Sequence, residues 1–547
     1  MSRTRLYLFD TTLRDGAQTA GIEFSLEDKI AIAGMLEKIG VDYIEGGYPG
    51  ANPVDTAFFE KKRTSKAVFT AFGMTKRAGR SAANDPGVMG LVNSAAGAVC
   101  YVAKAWDYQV ELALGCSTDE HLEGIADSVR AASGANKEVL VDLEHFFDGY
   151  KANRTYALAC VQTALEAGAR WVVLCDTNGG TMPSEVRKIV ADVMTIASGD
   201  RLGIHPHDDT GQAVANALAA VEAGVCQIQG TLNGLGERCG NANLVTLIPT
   251  LALKPFYAER FETGISSEHL ERLTHISRAF DDRLNRAPAR QAPYVGASAF
   301  ATKAGIHASA LLKDFSTYEH VPPESVGNER SIMVSQQAGK SNLLTALARH
   351  DIVLQKDDPK LEKLLATVKE RESHGYSYDG ADASFAVLAR RVLGILPDFF
   401  DVENYRAMVE RRHNALGEEV TVTEAVVKIR VDGELLMSVA EGNGPVNALD
   451  QALRKDLGKY SSRIEDLELV DFKVRILDGG TGAVTRVLVE SRDGSGERWV
   501  TIGVSPNIID ASFEALYESI TYKLLKTEEA QDSTLGANTS QAGTLAG

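Results

Sequence analysis

Eight short β-rich runs alternate with longer helical stretches through residues 1–275, and this alternation constrains the fold more than any other feature of the chain. The runs read RLYLF, VDYIEGG, AVFTAFG, AVCYVAKAW, EVLVDLEHF, RWVVLCDT, RLGIHPH and CQIQGTL. Such alternation is the signature of parallel βα units. Between the first two runs, SLEDKIAIAGMLEKIG opens with the capping-box pattern Ser25-x-x-Asp28 and closes at Gly40, so a helix is bounded at both ends. Eight units in this length predict an α/β fold with a closed (β/α)8 TIM barrel. An open, doubly wound sheet is the alternative, because spacing alone does not show closure.

At 547 residues the chain exceeds one ordinary core, and its pattern changes twice more. Residues 276–382 read as a mostly helical accessory region with polar, Pro-containing links such as EHVPPESVGN. Residues 383–528 contain two β-rich segments that each end in an amphipathic helix. The first begins EAVVKIRVDGELLMSV and the second TRVLVESRDGSGERWVTIGV. Each reads as two strands, a DG turn, a Gly/Pro link and a helix, an internal duplication that predicts an α+β C-terminal domain. Residues 529–547 lack apolar periodicity and predict a disordered tail.

Composition excludes several classes. No apolar run reaches the ~18 residues a membrane span needs, and the N-terminus turns polar too soon for a signal peptide. A formal charge of −17 argues against general nucleic-acid binding. Six cysteines without a C-x-x-C pair read as reduced residues of a cytoplasmic protein. Two phosphate-loop look-alikes fail: QQAGKSN has Val334 where a Walker loop needs glycine, and GLGERCG has Cys239 at the third glycine position of a dinucleotide fingerprint.

In a (β/α)8 barrel, chemistry gathers at the C-terminal ends of the strands. Those ends here supply Asp10, Arg14, Asp15, Glu45, Lys104, Glu144, His145, Asp176, Thr177, Asn178, His205, His207, Asp208 and Asp209, and the last strand leads into TLNGLGERCGN. His205 and His207 stand two apart on a strand and so share a face. With Asp15 they form a candidate divalent-metal site with positions left for substrate. Asp208 and Asp209 begin a helix and read equally as partners of its dipole. Glu45 and Lys104 read as a barrel-interior ion pair.

DTTLRDG, HPHDDTGQAVAN and GLGERCGNANL resemble the signatures of the isopropylmalate, homocitrate and citramalate synthase family. KAGIHASA and SVGNERSIMVSQQAGKSNL extend the resemblance through the helical region, and the C-terminal repeats are similar to the family's regulatory domain. The resemblance implies condensation of acetyl-CoA with a 2-oxo acid on a metal-bearing barrel. It implies Asp15, His205, His207 and Asn241 as metal ligands, for Mg²⁺ or Mn²⁺ or alternatively Zn²⁺. Arg14 would face the reacting carbonyl, and Asp10 would position the turn. Thr177 would hold the substrate carboxylate and Glu144 would take part in proton transfer. His307 and Tyr318 would assist as acid–base groups.

The phrases DGAQTAGIEFSLEDK and DYIEGGYPGANPVD are similar to the longer, pyruvate-using members. Pyruvate is therefore the expected 2-oxo acid, with 2-oxoisovalerate the runner-up and the homocitrate-type dicarboxylic substrate third. A metal-dependent lyase or aldolase, or a non-catalytic amino-acid sensor, are the alternatives of other kinds. The repeat implies a homodimer with an isoleucine effector, and Gly479, Gly480, Thr481 and Ala483 are the residues expected to let that ligand approach the backbone.

Overall fold

A computed structural model describes residues 3–542 except 62, 64, 287, 303–306, 308–309, 312, 333–339, 379, 414–415 and 478–482. Eight parallel strands close into a barrel: β1 (Tyr7–Asp10), β2 (Tyr43–Gly47), β3 (Val68–Met74), β4 (Ala98–Lys104), β5 (Glu138–Glu144), β6 (Trp171–Asp176), β7 (Leu202–Pro206) and β8 (Gln227–Gly230). Closure comes from β1 pairing β8, with Tyr7 opposite Gln227 and Asp10 opposite Gly230. The closed barrel stands, and the open sheet is excluded.

Strand alternation explains both cores. On β6, Val172 and Leu174 face the surrounding helices, while Trp171, Val173 and Cys175 face inward with Phe9, Tyr43, Ala98 and Leu140. The floor of the barrel is thus aromatic, and the Trp171 indole donates to the Tyr43 hydroxyl at 3.1 Å. The first helix, α1 (Leu26–Ile39), has the expected capping box at Ser25 and Asp28 and ends on Gly40 at φ 88°.

That helix also reaches the mouth. Lys29 is buried, and its ammonium donates to the carbonyls of Leu13 and Gly46, both at 2.9 Å, and to Asp55. Asp55 in turn accepts from the Tyr48 amide at 2.8 Å and the Asn52 side chain at 2.9 Å. One cation therefore ties the turn after β1 to the end of β2.

The chain divides into two compact units, 1–300 with 319–330, and 301–318 with 331–547. The second contains two three-stranded antiparallel sheets, β9 (Asp401–His413), β10 (Glu419–Val431) and β11 (Glu434–Gly442), then β12 (Glu468–Ile476), β13 (Thr485–Arg492) and β14 (Arg498–Ser505). A helix follows each sheet, Pro445–Lys455 and Ile508–Ala542. The duplication is present, but each half has a leading strand beyond the two expected. β9 was hidden because its faces are mostly exposed and its sequence, DVENYRAMVERRH, carries no apolar alternation.

Gly479, Gly480 and Thr481 lie outside the described residues. Ala483 is half-buried just before β13, where the antiparallel β12–β13 pair is joined. The last helix assignment runs on through 529–542, where the sequence predicts disorder; it continues a turn sequence that packs Ala511, Leu516, Ile520 and Leu524 into the core. Among the described residues no helix is long and apolar enough to cross a membrane.

Removing one member of a buried ion pair strands the other. Lys29→Met should destabilise the barrel by about 3–5 kcal/mol, read as a lower urea midpoint of the full chain. Asp55→Asn in the Lys29→Met background should recover part of the loss.

Candidate metal centre and active site

The turn DTTLRDG is built by hydrogen bonds within it. Asp10, fully buried at the end of β1, accepts from the Thr12 amide at 2.9 Å and the Thr12 hydroxyl at 2.7 Å. The Thr12 hydroxyl accepts in turn from the Leu232 amide at 2.8 Å, so the turn is joined to the loop after β8. Burial pushes the Asp10 carboxyl up to about 7, against the two Thr12 bonds. The amides of Arg14, Asp15 and Gly16 close on the Thr11 carbonyl. This winds Arg14 and Asp15 into one tight turn at the barrel mouth.

Asp15 is the hub. Its Oδ2 lies 2.9 Å from Arg14 Nη1 and 3.4 Å from His205 Nε2, and its Oδ1 accepts from Asn241 Nδ2 at 3.1 Å. Burial alone would raise its carboxyl, but Arg14 and His205 together hold it well below the usual carboxylate range. His205 is pushed the other way: burial opposes its charge, yet the bond to Asp15 raises it to about 9. His207 is lowered to about 4 by burial and the neighbouring imidazole.

Asp15, His205 and His207 each offer a ligand atom within 4.8 Å of the others, and all three are buried. Asn241 joins them because residues around it run beside the end of β7. His207 and Asn241 form an antiparallel bridge, and the Ala242 amide donates to the Pro206 carbonyl at 3.1 Å. Two glycines make this approach possible. A Cβ on Gly236 would sit 2.1 Å from the Asn241 amide nitrogen, and Gly240 turns at φ 95° with the Gly234 carbonyl 2.0 Å from any Cβ.

The fit to a divalent ion rests on two orphaned atoms. His207 Nδ1 and Asn241 Oδ1 are buried with no hydrogen-bond partner. Buried polar atoms are costly to leave unpaired, and here two electron-pair donors stand beside an ionised carboxylate. A hard or borderline divalent ion satisfies this mixed N/O set.

Arg14 is held on three sides. Its Nε donates to Glu45 Oε2 at 2.7 Å, Nη1 meets Asp15, and the guanidinium carbon stands 3.9 Å from the centre of the Phe72 ring. Glu45 Oε2 also accepts from the Thr11 hydroxyl at 2.6 Å. The expected Glu45–Lys104 pair is therefore not formed. Glu45 takes Arg14, and Lys104 takes Glu144 at 2.6 Å, because Lys104 and Glu144 are opposite one another on adjacent strands.

Thr177 sits at the same mouth, its hydroxyl accepting from the His145 amide at 2.8 Å. Asp208 accepts from the amide of Ala213, the first residue of its helix, at 2.8 Å, and Asp209 pairs with Arg238 at 2.8 Å. Asp208 is thus in keeping with the helix-terminus reading, whereas Asp209 is held in an ion pair. His307 and Tyr318 belong to the second unit, where their rings stack at 4.4 Å and both are exposed. Sequence reasoning missed Asp142 and Gln229, which lie inside the barrel beside His205; their inward parity on β5 and β8 was the available signal.

Three families match the chain in order: HMGL-like over residues 5–276, Homocitrate synthase post-HMGL domain-like over 294–375, and LeuA allosteric (dimerisation) domain over 379–524. The (R)-citramalate synthase of Aquifex aeolicus is 45% identical over 96% of this chain and 99% of its own. That of Streptomyces coelicolor is 47% identical over 95% and 97%. The chain belongs to the (R)-citramalate synthase family. A probable 2-isopropylmalate synthase of Methanopyrus kandleri is also similar, at 31% identity over 94% of this chain and 98% of its own.

With these ligands, His207→Ala should weaken Mn²⁺ binding by at least about tenfold and abolish turnover without changing the circular dichroism spectrum. Chelation should do the same to the parent, reversibly on adding Mg²⁺ or Mn²⁺. Undiminished Mn²⁺ affinity in His207→Ala would remove it from the ligand set.

Proposed function

We propose that this enzyme condenses acetyl-CoA with pyruvate and water to give (R)-citramalate and CoA, and that it serves isoleucine biosynthesis. The observation that carries the chemistry is the Asp15–Arg14–His205 cluster, which puts a fixed cation and a metal-ligand set at one barrel mouth. A divalent ion held by Asp15, His205, His207 and Asn241 would supply Lewis-acid polarisation of the keto carbonyl.

The chain's own residues account for the remaining tasks. Deprotonating the acetyl methyl and forming the new C–C bond moves negative charge onto the former keto oxygen. Arg14 is the preorganised partner for that charge, since Nη2 makes no hydrogen bond among the described residues while Nε and Nη1 are anchored. Thr177 anchors the substrate carboxylate through its hydroxyl. Glu144, neutralised by Lys104, accepts or relays a proton. His307 and Tyr318 are assigned acid–base assistance on the family resemblance.

The preference for pyruvate rests on the Aquifex aeolicus and Streptomyces coelicolor relatives, at 45% and 47% identity, against 31% for the probable 2-isopropylmalate synthase. Free thiol release from acetyl-CoA, measured across pyruvate, 2-oxoisovalerate and 2-oxoglutarate, tests it. Pyruvate should give the highest kcat/KM, and a preference for 2-oxoisovalerate would move the enzyme to leucine biosynthesis. Arg14→Lys should lower kcat by about 10²–10³-fold with little change in KM, because lysine keeps the charge and loses the planar fork. A pure KM defect would show that Arg14 holds the ground state instead.

The second unit's first sheet supports a homodimer. Its core face carries Ala425, Val427 and Ile429, while its other face leaves Met408, Leu435, Met437 and Val439 exposed. A second copy is the occupant we assign, consistent with a dimerisation-domain match over 379–524. Isoleucine is the proposed effector, with the Gly479–Ala483 segment as its contact. Isoleucine and not leucine should inhibit the full chain; a response to leucine alone would overturn both the effector and the substrate. Six free thiols suit a cytoplasmic setting.

A further inference from the structure

The interior of a (β/α)8 barrel is ordinarily filled with branched apolar side chains. Here one inward layer is polar. Glu45 from β2, Asp142 from β5, His205 from β7 and Gln229 from β8 share it, and each is at most 4% exposed. Buried amides and carboxylates carry a desolvation cost that must be offset by directed bonds. For Glu45 the bonds go to Arg14 and Thr11. Among the described residues Asp142 and Gln229 make no hydrogen bond to the turn after β1, and they require another explanation.

The bonds they make run in one direction. Gln229 Nε2 donates to Asp142 Oδ1 at 3.0 Å, and Gln229 Oε1 lies 2.7 Å from His205 Nδ1. A primary amide has a donor end and an acceptor end that cannot be exchanged without turning the group over. An ionised carboxylate accepts only, so Asp142 draws the NH₂ end of Gln229 toward itself. The amide oxygen is then the only atom left to meet His205 Nδ1, and an oxygen can only accept.

We infer that Gln229 is a positioning residue that places the imidazole proton of His205 on Nδ1, and that Asp142 sets the orientation of Gln229. The consequence falls on the opposite nitrogen. His205 Nε2 points at Asp15 Oδ2 from 3.4 Å, so it is the nitrogen whose proton an incoming ion would replace, with Nδ1–H left in place and no change of tautomer.

The inference rests on the proposed metal role of His205, and its test separates the two. Mn²⁺ titrations by calorimetry, with Co²⁺ visible spectra alongside, are run on the full chain and three variants. Gln229→Met keeps the volume and removes the acceptor; it should weaken Mn²⁺ binding by about 10–100-fold with an unchanged melting temperature. The double variant Gln229→Glu, Asp142→Asn reverses the donor and acceptor while keeping the net charge. The carboxylate it introduces at position 229 still accepts from His205, so affinity should return to within about threefold of the parent.

A packing role would be satisfied by methionine and would not be rescued by the exchange. Parent-like affinity in Gln229→Met overturns the inference, as does a double variant as weak as Gln229→Met. If Gln229→Met does not fold, the double variant decides alone, and loss of affinity there overturns it. His207→Ala is the third variant. A parent that binds neither Mn²⁺ nor Co²⁺ overturns the metal assignment itself and this inference with it.

Discussion

The buried negative charge of Asp15 is the interaction on which the site depends. An isolated carboxylate at the mouth of an otherwise closed barrel would cost several kcal/mol of lost hydration, and the structure offsets this from three parts of the barrel. Arg14 comes from the same turn, His205 from β7, Asn241 from the loop after β8, and the Thr11 carbonyl ties down the backbone amides beneath it. None of these side-chain partners is close to Asp15 by sequence except Arg14. The barrel has to close for the charge to be compensated, so closure and site assembly are one event.

Closure alone would not place the turn. β1 is four residues long, and from Thr11 to Asp15 the chain has neither strand nor helix to hold it. Its position is set from below by Asp10 and Thr12, from the side by the Leu232 amide, and from outside by Lys29. Lys29 acts at a distance: it touches no proposed ligand, yet it fixes the Leu13 carbonyl one residue before Arg14. Buried ion pairs of this type are poor sources of stability but good sources of uniqueness, which is what a ligand set with sub-ångström tolerance requires.

Periodicity and turn chemistry made the barrel legible. All eight strand runs, the α1 capping box and the Gly40 stop appear where residue pattern put them, because local preference and tertiary packing agree there. The candidate metal cluster was legible for a different reason: His205 and His207 share a strand face by parity, Asp15 stands at another strand end, and Asn241 came from motif resemblance. Asp142 and Gln229 were not read from the sequence. Their inward parity was visible, but parity says nothing of a partner that lies across the barrel, 87 residues away. β9 escaped for another reason, since only Val402, Tyr405 and Ala407 on it are even partly buried and they leave too little alternation to read.

Arg14 shows how the same constraints serve the proposed chemistry. Glu45 holds one edge of its guanidinium, Asp15 holds another, and the Phe72 ring lies against its plane. A flexible cation would have to lose rotamer freedom and solvent as charge developed on the substrate oxygen. Here both costs are met during folding, because the three contacts fix the plane and exclude water from one face. Aromatic stacking also explains why arginine and not lysine occupies the position: an ammonium cannot satisfy two carboxylates along one edge set and still present a planar donor to a third group. The carboxylates that fix Arg14 draw on its charge, yet they leave Nη2 without a partner among the described residues. The preorganised dipole that remains is directed at the mouth, where an electrostatic contribution in a low-dielectric setting exceeds what the same group provides in water.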